Sequence, residues 1–142
     1  MDSPEAPFTT IRYAGDEFFL ATTASGHTLA IDTKGDRQST PGPLDFFIAG
    51  AGSCTATDVI SVLEKKRQQV TSYRVEVRTE RRAEHPRSFT RVALKHIVRG
   101  RDISPEAVAR AIELSTTKYC SALSTMRPTA EIVTSYEIEQ EA

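Results

Sequence analysis

Residues 44–63 read LDFFIAGAGSCTATDVISVL. Only Asp45 and Asp58 are charged in this stretch, and apolar or small side chains occupy every helical face, so the pattern predicts a helix from Leu44 to about Gln68. At 1.5 Å per residue such a helix is roughly 37 Å long. A membrane span is the competing reading. Two acids cost about 2.5–3.5 kcal/mol each near the middle of a span, and Gly50, Gly52, Ser53, Thr55 and Thr57 dilute the remaining apolarity. The stretch is therefore read as a buried central helix, with no membrane as partner. Glu64-Lys65-Lys66-Arg67 closes it with cations where the helix dipole favours them.

Upstream, Phe8 to Tyr13, Phe18 to Thr22 and Thr28 to Asp32 are short runs rich in β-branched and aromatic residues, split by turn residues, and read as a three-stranded meander. Residues 33–43, TKGDRQSTPGP, form a loop before the helix. Downstream, Tyr73, Val75, Val77 and Thr79 alternate with Arg74, Glu76, Arg78 and Glu80, and Val92, Leu94, His96 and Val98 alternate with Arg91, Ala93, Lys95, Ile97 and Arg99, which predicts two strands with one dry face, joined by a turn around His85-Pro86 and ended by Gly100. A second helix starts at the N-cap Ser104, with Pro105 first in the helix and Glu106 in its first turn. Val108, Ile112, Ser115, Tyr119, Ala122 and Met126 define its buried stripe, and Pro128 ends it. Ala130, Ile132, Thr134, Tyr136 and Ile138 mark a last strand. The order is β-β-β-α-β-β-α-β, an α+β chain.

A helix apolar nearly all round is hard to cover within one small domain, because a chain of this length hides only about 68–70% of its extended surface. A homodimer with the helices packed at its centre is expected. The 142 residues are expected to form a single domain (1–142), with residues 1–7 as a flexible tail. The acidic start MDSPEAPFTT lacks a basic, apolar leader, so a cytoplasmic protein is expected.

The near-neutral total, 18 Lys and Arg against 19 Asp and Glu, hides a division. Residues 65–101 hold twelve cations against three Glu, a net of +9, and the other positions net −10. A basic hairpin face could bind an anion. Yet Arg74, Glu76, Arg78, Glu80 and Arg82 alternate in sign, no aromatic residues are interleaved as a stacking platform, and Glu131, Glu137 and Glu139 of the last strand can lie alongside, so no nucleic-acid partner is expected.

Two cysteines remain, Cys54 in the first helix and Cys120 in the second. Free cysteine packs well as a small hydrophobe, so burial alone is one reading. Three histidines without metal-ligand spacing leave no metal site or cofactor to expect. The string PLDFFIAGAGSCTATDV, Pro43 to Val59, resembles the OsmC/Ohr family of osmotically inducible and organic hydroperoxide resistance proteins. EKKRQ (64–68), the stretch from Glu80 to Thr90, and LSTTKYCSAL (114–123) are similar to an OsmC-like branch whose second cysteine sits in a Lys-Tyr-Cys-Ser string.

The resemblance implies an intertwined homodimer with two central helices flanked by antiparallel sheets. It also implies thiol-dependent reduction of organic hydroperoxides, with Cys54 as peroxidatic and Cys120 as resolving cysteine, reset by an external dithiol of lipoyl type. An Arg paired with an acid activates the thiolate in that family. The acidic position matches Asp45, one methylene shorter than the family Glu, and Arg37 is the first choice for the cation, ahead of Lys34 and Arg12. Asp45 and Cys54 are nine positions apart, about 13.5 Å of rise and opposite faces on one unbroken helix. They can meet only if Gly50 or Gly52 breaks the helix or a second subunit lends the acid, and the second is preferred. Asp58, one turn beyond Cys54, is read as a satisfied buried acid paired with Lys118. The alternative function is a stress-associated or small-ligand-binding dimer of the same fold without substantial peroxidase activity.

Overall fold

The computed structural model describes residues 5–142, so the start of the expected tail lies outside the described residues; Glu5, Ala6 and Pro7 are exposed and belong to no strand. The chain divides into two compact units, Met1–Phe47 and Ile48–Ala142.

The first unit carries the expected meander: β1 (Thr10–Gly15), β2 (Phe18–Thr22) and β3 (Thr28–Asp32) form one antiparallel sheet in that order. The first strand begins two residues later than Phe8. Asp16 and Glu17 form its two-residue turn with φ of 50° and 62°, the positive pair that matches the twist of a hairpin.

Helix α1 (Pro43–Lys65) starts in the first unit and continues in the second. Pro43 takes the first helical position, where its missing amide costs nothing. The helix ends three residues before Gln68 for a local reason. Arg67 turns left-handed at φ 57°, and the amides of Arg67 and Gln68 donate back to the carbonyls of Glu64 (2.9 Å) and Leu63 (3.0 Å), a closed C-terminal cap. It is the one helix among the described residues long and apolar enough to cross a membrane, and 28% of its apolar 18-residue window is buried.

In the second unit β4 (Gln69–Arg81) and β5 (Phe89–Arg101) pair antiparallel, running beyond the sequence boundaries and through Gly100. Gly100 is required by contact: a Cβ there would stand 2.0 Å from the Gln69 carbonyl oxygen. The last strand, β6 (Glu131–Gln140), pairs with β5 in parallel, so this sheet is mixed and not antiparallel as expected. The long helical connection between the two strands permits it, since parallel neighbours need a crossover rather than a hairpin. The pairing sets cationic β5 beside acidic β6, with ion pairs Arg91–Glu131 (3.9 Å), Lys95–Glu137 (2.7 Å) and Arg99–Glu141 (2.9 Å).

The second helix is not continuous. Ser104 caps α2 (Pro105–Leu114) by accepting the Ala107 amide at 3.2 Å; a π turn (Ser115–Tyr119) follows, and α3 (Ser121–Met126) restarts after Cys120. The π turn adds a residue to the repeat, so the buried stripe slips by one position: Cys120 is 3% exposed, whereas Tyr119, expected in the stripe, is 50% exposed. Tyr136, on the expected inner face of the last strand, is also largely exposed.

Two clusters make the core of this unit. One joins Val59 and Leu63 of α1 to Val98, Val108 and Ile112; the other joins Ala51 and Cys54 to Val92, Leu94, Cys120 and Leu123. Gly52 lets α1 approach β4 closely, with Val77 Cγ2 at 3.2 Å from where a Cβ would be.

Candidate functional site

Cys54 and Cys120, 66 positions apart in sequence, are brought into one packed cluster of the second unit, both as free thiols. Cys54 is half-buried on α1, while Cys120 is buried at the N-cap of α3, where its sulfur accepts the Leu123 amide at 3.4 Å. Burial pushes the Cys120 thiol pKa up, the Leu123 amide opposes that, and the hydrogen bond and charge of Cys54 raise it further. The thiols are therefore neighbours with unequal surroundings.

Beside the pair lies a polar group that sequence reading did not pick out. Thr55 and Ser115 are fully buried with hydroxyls 2.7 Å apart, and Ser115 Oγ donates to Asp58 Oδ2 at 2.9 Å. Asp58 is satisfied, but by Ser115 and not by Lys118, whose ammonium sits over the Tyr119 ring at 5.3 Å. The Asp58 charge also adds to burial in raising the Tyr73 phenol pKa. Tyr73 Oη lies 2.7 Å from His96 Nδ1 with the rings stacked. His96 is fully buried, its pKa pushed down to about 4 by burial, and its Nε2 has no hydrogen-bond partner among the described residues. The sequence signal for this layer was a Ser, a Thr and a His at positions of otherwise apolar stripes.

The charged candidates occupy the first unit, and they are not paired with each other. Arg37 bonds Asp32 at 2.8 Å and Asp16 at 2.7 Å, and its guanidinium carbon lies 3.8 Å from the Phe18 ring centre. This pairing holds the Asp32 carboxyl far below its usual range, against burial and with help from Ser39 and Lys34. Asp45 is exposed and reaches back to accept the Gly42 amide at 2.9 Å, the reach of an N-terminal capping acid. Lys34 gives its backbone amide to Asp32 at 3.0 Å, and Arg12 is exposed on β1. Helix α1 is unbroken at Gly50 and Gly52, so neither glycine supplies the bend considered above. Among the described residues no group of three or more His, Cys, Asp or Glu could hold a metal ion.

Two free thiols packed in one cluster, one half-buried and one buried, are the groups that thiol–disulfide chemistry requires. Residues 34–135 match the family model described as OsmC-like protein. The chain is 44% identical over 121 residues to Protein YhfA of Escherichia coli K12, covering 84% of this chain and 89% of that one. Its fold is that of the OsmC like protein from Mycoplasma pneumoniae (TM-score 0.81, 14% identity, 98% and 99% of the two chains covered). The organic hydroperoxide resistance protein from Elizabethkingia anophelis shares it as well (TM-score 0.65, 12% identity, 99% and 100% covered). The match across the helix of Cys54, the mixed sheet and the turn of Cys120 settles the grouping: the chain belongs to the OsmC-like protein family.

Proposed function

We propose that the protein is a thiol-dependent peroxidase for organic hydroperoxides, acting in oxidative or osmotic stress defence from a reducing cytoplasm. The observation that carries this reading is the Cys54–Cys120 contact with the buried member's thiol pKa raised. A half-buried Cys54 is the sulfur a substrate can reach. Its thiolate attacks the outer peroxide oxygen, the O–O bond breaks, and the alkoxide leaves and takes a proton as the alcohol. Cys54 is then a sulfenic acid. The Cys120 thiol attacks that sulfur, its proton leaves with the hydroxyl as water, and a Cys54–Cys120 disulfide remains. An external dithiol of lipoyl type restores the two thiols by exchange and is itself oxidised to a disulfide. The shared fold of an organic hydroperoxide resistance protein supports the substrate class by analogy.

The working unit in this proposal is a homodimer in which each chain is a single domain. Support comes from α1, which exposes Leu44 and Phe47 and keeps most of its apolar window unburied. With α1 unbroken, a second copy of the chain is the remaining source of an Asp45 carboxylate for Cys54. Arg37 keeps its proposed role as activating cation in that arrangement.

The test is peroxide consumption with dithiothreitol or dihydrolipoamide as reductant, on wild type and Cys54→Ser. Wild type is expected to consume organic hydroperoxide and Cys54→Ser to fall to the uncatalysed rate; equal consumption by both overturns the reading. A second reading, a stress-associated or small-ligand-binding dimer of the same fold, is favoured by one observation: Arg37 is already tied to Asp16 and Asp32. A folded wild type that consumes no peroxide would support it.

A further inference from the structure

Ser115 is bonded in two directions, one toward each cysteine-bearing segment. Its carbonyl accepts the Cys120 amide at 2.8 Å, the bond that closes the π turn. Its hydroxyl donates to Asp58 Oδ2 at 2.9 Å, which uses its single proton, so the Thr55 hydroxyl, 2.7 Å away, is the donor of the other bond. Thr55 directly follows Cys54 in α1 and Asp58 stands one turn further on. The result is a directed chain, Thr55 to Ser115 to Asp58, whose two hydroxyls are fully buried.

We propose that Ser115 is a positioning residue for the Cys54–Cys120 pair: its carbonyl holds Cys120, its hydroxyl holds the helix of Cys54, and the two together set the approach of the sulfurs. The inference rests on the thiol–disulfide chemistry of the proposed function, but not on a peroxide being the oxidant.

Two physical points make such a device necessary. A disulfide tolerates only a narrow geometry, with Cα atoms about 4.4–6.8 Å apart, and these cysteines sit on separate elements. A π turn is also a soft place, because it reverts to α-helix by passing the Ser115 carbonyl from the Cys120 amide to that of Tyr119. Reversion would rotate Cys120 off the buried side. While the Ser115 hydroxyl is anchored on α1, any slide of the turn leaves the fully buried Thr55 and Ser115 hydroxyls without partners. The side-chain bonds therefore hold the start of the turn, and the turn holds Cys120.

The test uses the reduced full-length protein in a series of glutathione buffers. Protein dithiol and glutathione disulfide give protein disulfide and two glutathione thiols, so two electrons and two protons pass to glutathione. The fraction oxidised is read by mass after alkylation. Removing a buried hydrogen-bonded hydroxyl in Ser115→Ala is expected to lower the equilibrium constant for the Cys54–Cys120 disulfide by about tenfold or more. Ser115→Thr keeps the hydroxyl and is expected to stay within about threefold of wild type. Val108→Ala truncates a fully buried side chain of α2 outside the chain of hydroxyls. It should lower the urea midpoint while leaving the disulfide constant nearly unchanged. Asp58→Ala removes the acceptor at the end of the chain, is expected to act in the direction of Ser115→Ala, and decides the matter if that variant does not fold.

A Ser115→Ala constant equal to wild type, an equal loss in Val108→Ala, or a wild type that forms no intramolecular disulfide in any buffer would overturn the proposal. The outcomes remain distinguishable from those of the peroxidase reading. A wild type that forms the disulfide yet consumes no peroxide defeats that reading, while the glutathione constants still decide this one.

Discussion

The buried His96 should write a pH dependence into folding stability between about pH 4 and 6.5. It is fully buried between β4 and β6, its Nδ1 is engaged by Tyr73 Oη at 2.7 Å, and burial depresses its pKa from 6.5 to about 4. Between those values the unfolded chain binds a proton that the folded chain refuses. Stability therefore rises with pH across this window, is present in full above 6.5, and is lost as pH falls toward 4. At about 1.36 kcal/mol for each tenfold change in proton affinity, the loss is roughly 3 kcal/mol, a substantial part of the 5–15 kcal/mol typical of a domain. Asp32 acts in a separate window. Its carboxyl is held down by Arg37, so its contribution is present above the ordinary carboxylate range and disappears only at lower pH.

The assay is urea unfolding followed by circular dichroism, with reductant present, at several pH values between about 5 and about 7. Wild type should show a slope approaching about 1.4 kcal/mol per pH unit in excess of the variant His96→Leu, in which that component is absent. Tyr73→Phe combined with His96→Leu removes both polar partners together with the orphaned Nε2. At neutral pH the double variant should match or exceed wild type by about 1 kcal/mol, since an unpartnered buried polar group costs about 1–3 kcal/mol. Equal pH slopes in wild type and His96→Leu would refute the reasoning, because the proton uptake on unfolding would then belong to other groups.

Two further outcomes follow from packing alone. Gly100→Ala places a Cβ 2.0 Å from the Gln69 carbonyl oxygen and 2.8 Å from Ile103 Cδ1, where the β4–β5 pairing ends. It should lower stability by about 3 kcal/mol or more in urea unfolding, and a loss under about 0.5 kcal/mol would show that the strands can part at no cost. Light scattering at micromolar concentration should give about twice the 15.7 kDa chain mass if a second copy covers α1, and the mass of one chain would overturn the dimer.

The last three strands were legible because each alternates around a single dry face, a period that depends on nothing beyond the strand itself, and the first three from β-branched and aromatic runs cut by turn residues. The parallel pairing of β6 was not, since direction is decided by the crossover and not by any residue within the strand. The charge division shows the same limit from the other side. Residues 65–101 looked like an anion-binding face when counted alone, and the parallel pairing of β5 with β6 sets Glu131, Glu137 and Glu141 against Arg91, Lys95 and Arg99. Such half-exposed pairs contribute only about 0.2–1 kcal/mol each, so their main effect is to neutralise the face.

At the site, the cysteines could be named from the sequence but their surroundings could not, and one local event accounts for much of the difference. A stripe counted at 3.6 residues per turn passes from Ser115 to Tyr119, and the π turn advances it to Cys120 instead. That slip puts the sulfur into the core beside Cys54, leaves Tyr119 at the surface, and makes Cys120 the cap of α3. A reading at constant period has no term for the inserted residue. What it does contain is the anomaly that accompanies the slip: Ser115 is a polar side chain at a core position, and burying its hydroxyl is tolerable only with partners on the facing helix. Thr55 and Asp58 are those partners, spaced one turn apart on α1 immediately after Cys54. The polar residue in the apolar stripe, rather than either cysteine, was the mark of where the two segments are joined.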